Sequence, residues 1–329
     1  MKDSLELPII NAHSAAVDVG SEKLHSSVGG QDTEVYLSVT SGIRKLIESF
    51  KAQGVETVAM EATGSYWINL YYALEEAGFK VIVVNGAHCR NIPGRKTDMK
   101  DAQWLAVLHA HGLLEGGFVP TREIRRLRDY MRVRADLVSM ASQHVQHMQK
   151  AMDRLNVKIH VVMSDITGYS GLKIIEAILA GERDPDKLAD LCDVRILKTK
   201  RARMVEALRG LWQPEHLFAL ELALESYKAY QSQLAKCDVL IAQVIKEMSE
   251  GKPTPELGKA KELRHNAIVI PKLQENMAQI YTKDLTRLPC LNESTVAMLL
   301  AEIGMDMSRW KDCKHFGSWL ALAPAYAQS

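Results

Sequence analysis

Short apolar runs dominate the first part of the chain. Ala15-Ala16-Val17-Asp18-Val19-Gly20-Ser21 is an apolar run broken by one acid, as in a buried strand. A second run near residues 24–28, the Gly29-Gly30 pair and the alternation over 33–39 predict a three-stranded antiparallel meander. Residues 41–53 place Ile43, Leu46, Ile47 and Phe50 on one helical face. Residues 55–60 predict a buried strand that ends in Glu61. After Gly64, residues 65–77 predict a helix closed by Gly78, and residues 80–85 (Val81-Ile82-Val83-Val84) the next strand. The stretch Gly94-Arg95-Lys96-Thr97-Asp98-Met99-Lys100-Asp101-Ala102 opens a further helix, on which Trp104, Leu105, Leu108 and Leu113 keep an apolar spacing. The order is β-β-β-α-β-α-β-loop-α.

Past residue 120 the period becomes helical. Thr121-Arg122-Glu123 can cap a long helix reaching about residue 155, with Leu127, Met131, Leu137 and Met148 as an apolar seam. Residues 165–181 and 184–191 read as a shorter helical insert. Residues 217–248 form a second long amphipathic helix through Leu220, Leu224, Tyr227, Leu234, Val239, Ile241 and Ile245. An antiparallel hairpin or coiled coil between the two long helices is expected. Gly251-Lys252-Pro253-Thr254-Pro255 ends the second, and residues 285–329 read helix, loop, helix. Three segments follow from this reading: 1–120, 121–250 and 251–329.

With 47% hydrophobic and 25% charged residues among 329, the chain can build real cores and is not disordered as a whole. A net charge of +1 means that any nucleic-acid contact must come from local clusters. The five cysteines are scattered without a CxxC pair, which gives no zinc motif and suits a reducing cytoplasm. No apolar run approaches a membrane span, and no signal pattern opens the chain. A soluble, intracellular protein is expected.

Four acids carry the candidate chemistry. Asp98 and Asp101, three apart, share a face of one helical turn, where a divalent cation would turn their repulsion into binding. Arg95, Lys96 and Lys100 surround them as a polyanion site would require. Asp18 lies in the first strand and Glu61 ends the fourth. The element order is that of a ribonuclease-H-like α/β domain, which would bring all four acids together around hard cations that activate water. Downstream, Arg122, Arg125, Arg126, Arg128, Arg132 and Arg134 crowd one helix and suit phosphate contacts. Lys198, Lys200, Arg201 and Arg203 form a second basic cluster. His144 and His147 have no further ligand at zinc spacing.

The blocks Val17-Asp18-Val19-Gly20-Ser21, Met60-Glu61-Ala62-Thr63-Gly64-Ser65-Tyr66-Trp67 and Lys96-Thr97-Asp98-Met99-Lys100-Asp101-Ala102 resemble the insertion-sequence-110 family of DEDD transposases, whose N-terminal domain is similar to the RuvC Holliday-junction resolvase. The resemblance implies that Asp18, Glu61, Asp98 and Asp101 are a catalytic tetrad binding Mg²⁺ or Mn²⁺. It implies a recombinase that moves an insertion sequence between DNA sites, in some members with a guide RNA. The expected partners are DNA, possible guide RNA and, through the helical region, a second copy of the chain; no membrane is expected. Leu288-Pro289-Cys290-Leu291-Asn292-Glu293-Ser294-Thr295 and His315-Phe316-Gly317-Ser318-Trp319-Leu320-Ala321-Leu322-Ala323-Pro324 fill the places of the family's second domain, with Cys290 and Asn292 where glycines are usual. The family's nucleophilic serine follows the Leu-Ala-Pro block, so a truncated domain, defective in strand exchange, is expected; Ser318 and Ser329 do not take that role. Asp18-Val19-Gly20-Ser21 also looks like the first phosphate loop of actin-like ATPases and sugar kinases. A non-catalytic nucleic-acid-binding remnant is the other alternative.

Overall fold

The computed structural model describes residues 8–62, 64–85, 101–263 and 266–322. Two compact units divide the chain, Met1–Val119 and Pro120–Ser329.

In the first unit five strands form one sheet: β1 (Ser14–Val19), β2 (Lys23–Val28), β3 (Glu34–Leu37), β4 (Thr57–Glu61) and β5 (Lys80–Val84). Their spatial order is β3-β2-β1-β4-β5. The first three strands pair antiparallel, while β4 lies parallel to β1 and β5 parallel to β4. This mixed sheet, with its helices, fits the ribonuclease-H-like arrangement expected from the element order.

Alternation along β1 explains the layers. Ala15, Val17 and Val19 point to one face, where they meet Leu46 and Phe50 of α1 (Thr40–Ala52) and Leu70 and Leu74 of α2 (Trp67–Glu76). Ala16 points to the other face, beside Ala59 of β4 and Val84 of β5. There it packs under Leu105, Ala106 and Leu108 of α3 (Asp101–Ala110). Small side chains on the sheet let α3 sit close. Gly30 helps on the flank: its φ is +83°, and a Cβ there would come 2.7 Å from Val107 Cγ2. Two polar ties fix the helix. His109 Nε2 lies 3.0 Å from Thr57 Oγ1, and Asn11 Nδ2 donates to the His109 carbonyl at 2.7 Å.

The second unit is helical. The long helices α4 (Arg122–Arg154) and α8 (Pro214–Ser249) run antiparallel, for Arg126 pairs with Glu247, Arg134 with Asp238, and His144 stacks on Tyr230. The Arg134 guanidinium is buried. Its Nε meets Asp238 at 2.6 Å, and it donates to the Asn266 and Ala267 carbonyls at 3.0 Å each. Between the long helices lie α5 (Tyr169–Leu179), α6 (Pro185–Ala189) and α7 (Val194–Ala207). They close a core with Met152, Leu155, Ile174, Leu188, Met204 and Leu220. At the opposite end of the pair, α9 (Leu273–Tyr281) and α10 (Glu293–Ile303) pack on Leu127, Ile241 and Ile245 through Met277 and Leu300. The short α11 (Cys313–Trp319) follows, with the rings of Trp310, Phe316 and Trp319 gathered around it. The helix α9 precedes the helix–loop–helix expected from residue 285. None of the described helices is long and apolar enough to cross a membrane.

Leu108, on the sheet-facing side of α3, is 1% exposed, so Leu108→Ala removes buried contacts and leaves a cavity. The expected loss is about 2–5 kcal/mol of stability in the first unit, read as a lowered midpoint in chemical denaturation.

Candidate functional site

Register brings two of the acids side by side. Val17 of β1 lies opposite Met60 of β4 in a parallel pair, so the next step along both strands sets Asp18 beside Glu61. Each shares its face with the alanine two residues earlier, Ala16 or Ala59, and that face is the one α3 covers. Asp101 is the first residue of α3. Asp18 and Glu61 therefore stand side by side at the carboxyl ends of neighbouring parallel strands, where α/β sheets gather their ligands, and the charge of Asp101 reaches Asp18.

Electrostatics shows that the acids feel one another. Asp18 is half-buried, and its pKa is raised first by that burial and then by the negative charge of Asp101. His25, opposite Asp18 in the β1–β2 register, pulls the other way. Glu61 and Asp101 each have interactions of their own within the structure. His25 was not singled out in the sequence. Its signal was available in the tight β1–β2 turn, where the Gly20 N–H donates to the Lys23 carbonyl at 3.0 Å and fixes which β2 residue faces Asp18.

Asp98, Arg95, Lys96 and Lys100 lie outside the described residues. Among the described residues, no group of three or more His, Cys, Asp or Glu is close enough together to hold a metal ion. The donors nonetheless suit one. Carboxylate oxygens are hard ligands for Mg²⁺ or Mn²⁺, and a half-buried carboxylate under the field of another gains from a cation.

The arginines expected to meet phosphate have partners inside their own unit. Arg125 is buried and donates to the Pro120 carbonyl at 2.7 Å. Arg126 pairs with Glu247, and Arg132 makes a two-pronged bond to Glu302 at 3.1 and 3.0 Å. Arg128 reaches the Ala301 carbonyl at 3.1 Å. Arg122 is exposed at the helix start. These ties join α4 to α8 and α10, while the Arg126 and Arg132 side chains stay exposed. In the second cluster Arg201 is held by Asp186 and Asp190, while Lys198 and Arg203 are exposed. His144 and His147 pack edge to face, 5.4 Å between centroids.

This geometry, an acid-bearing mixed sheet followed by a long helix, defines a candidate phosphoryl-transfer domain of the DEDD kind. Residues 15–157 match the DEDD transposase model of IS110, and residues 282–329 match the model of the transposase IS116/IS110/IS902 family. The two matches together span more than half of the chain, which belongs to the IS110 family of transposases. No curated protein matches the chain. Membership implies DNA as a partner, suggests a divalent metal, and decides against the actin-like ATPase or sugar kinase.

The seat of the site should respond to pH through His109. Burial lowers its pKa from the ordinary 6.5, so between the folded and unfolded values the unfolded chain binds the extra proton. Stability held above about pH 6.5 is lost as pH falls through the unfolded pKa. His109→Gln can keep a bond to Thr57 and should flatten that acid slope, measured as denaturation midpoints from pH 8 down to about pH 5.

Proposed function

We propose that Asp18, Glu61, Asp98 and Asp101 hold Mg²⁺ or Mn²⁺ and that the protein cuts and moves the DNA of an insertion sequence. The observation that carries this reading is the meeting of Asp18 and Glu61 at adjacent strand ends beneath the start of the Asp101 helix. When bound, the metal supplies charge neutralisation and an activated oxygen nucleophile for phosphoryl transfer. Asp18 and Glu61, fixed on paired strands, orient their oxygens without the entropy loss of a mobile loop. Asp98 takes its place by the resemblance, with Arg95, Lys96 and Lys100 drawing DNA phosphate toward the acids. The same reading adds a guide RNA that selects the DNA sites, and the cytoplasm as the compartment.

We assign no serine nucleophile. Ser318 belongs to α11, beside the aromatic cluster, and Ser329 lies outside the described residues. The long helix pair is proposed to form a coiled coil that joins two copies of the chain. Val133 and Met140 on α4 and Val239 and Leu240 on α8 support this, being exposed apolar side chains on a two-helix stem.

Metal titration of the full chain tests the centre. Mg²⁺ or Mn²⁺ should raise the melting temperature, the stabilisation reaching about 2.7 kcal/mol at a hundredfold excess over Kd. Asp18→Asn should melt no lower than wild type in EDTA, since it removes a buried charge facing Asp101, and should lose the metal-dependent rise. Equal metal shifts in the two proteins would remove Asp18 from the site.

A further inference from the structure

The sheet face that holds Asp18 is only partly covered. Toward the far end of β2, α3 lies over Ser27, which is buried, and over Gly30. Toward the near end no described element covers it. His25 pairs with Val35, and Lys23 pairs with Leu37, so these four side chains form two adjacent cross-strand pairs. All four share the face of Asp18, because His25 stands opposite it and parity carries the rest. Glu34 and Tyr36 point the other way, toward Ser49 of α1. Val35 is 54% and Leu37 60% exposed, and the exposed Lys23 ammonium has no ion-pair or hydrogen-bond partner among the described residues. Val35, His25, Asp18 and Glu61 thus make one row across four strands, roughly 14 Å from end to end at the usual strand spacing.

We infer that this open row is a platform for the DNA strand whose phosphodiester the acids receive, Lys23 and His25 facing phosphate oxygens and Val35 and Leu37 lying against sugar and base. The inference rests on the metal-centre reading above, and it extends that reading by naming where the flanking nucleotides run. Three features select a nucleic-acid strand over a protein partner. The row leads straight into Asp18 and Glu61. It places a cation and a hydrogen-bonding ring beside carboxylates, so a polyanion is held next to the acids and does not rest on them. Its four side chains are far fewer than the 20–30 residues a side of a stable protein interface, at about 800 Å² per partner. Aliphatic side chains pressed against nucleotides are a recurrent device in DNA-binding proteins.

Binding of a short fluorescein-labelled single-stranded DNA to the full-length protein in EDTA, by anisotropy over a salt series, tests the platform apart from the metal. Lys23→Ser should weaken binding and lower the slope of log affinity against log salt by about 0.7, one phosphate contact on a single strand. Lys23→Arg should keep both. Leu37→Glu should weaken binding about tenfold or more, because it removes an apolar contact and sets a carboxylate against the phosphate backbone. Both positions are exposed, so melting temperatures and any Mg²⁺-induced shift should match wild type. Wild-type affinity and salt slope in Lys23→Ser and Leu37→Glu would overturn the platform, and a persisting Mg²⁺ shift would show the metal centre standing without it. A wild type with no metal shift would remove the centre, while the EDTA series still judges the row. Tighter binding of the matching RNA, with the same dependence on Lys23 and Leu37, would overturn the assignment to DNA.

Discussion

The close seating of α3 on Ala16 and Ala59 is the contact on which the first unit depends. A helix that rides on alanines approaches nearer than one that rides on leucines, and this helix carries Asp101 at its first residue. The same seat half-buries Asp18 and puts it in the field of Asp101, which raises its pKa. Packing and electrostatics are therefore one arrangement. The layer that stabilises the sheet also creates the charge strain that a cation would relieve. Such strain is tolerable because the opposite face holds a larger core, with Leu46, Phe50, Met60, Leu70 and Leu74 all fully buried or nearly so.

Much of the first unit was legible because its signals are local. Alternation, Gly29-Gly30 and Gly78 mark strands and turns within a few residues of where they act. The second unit hid more. Helix α9 begins after Lys272 and ends before Thr282, both at positive φ, where glycine is the usual marker. Helix α7 buries fully only Met204 and carries basic residues around its first turns, so its apolar period is faint. The arginines of α4 are the plainest case. Their acids, Glu247, Asp238 and Glu302, lie more than a hundred residues away in sequence, and no local pattern joins them. Clustered charge alone does not tell solvent from a distant carboxylate. For the site, strand parity and register account for Asp18 and Glu61, while the placement of Asp98 lies outside the described residues.

Arg134 shows how a buried charge can organise a helical unit. It is held by Asp238 and by two backbone carbonyls from one loop, so it joins α4, α8 and the approach to α9 at one point. A hydrophobic residue could fill the volume, but it could not satisfy those carbonyls. Ties of this kind confer register along a helix pair whose apolar seam would tolerate sliding by a turn.

The helix pair also sets a length. Helix α4 has 33 residues, which at 1.5 Å each make a rod of about 50 Å. One hydrophobic centre closes around its far end, with Met152 and Leu155, and another around its near end, with Ile124 and Leu127. Laid along a duplex, that rod would span about fifteen base pairs at 3.4 Å per step. The second unit is thus a spacer of fixed gauge: whatever its two ends touch is held more than one helical turn of DNA apart.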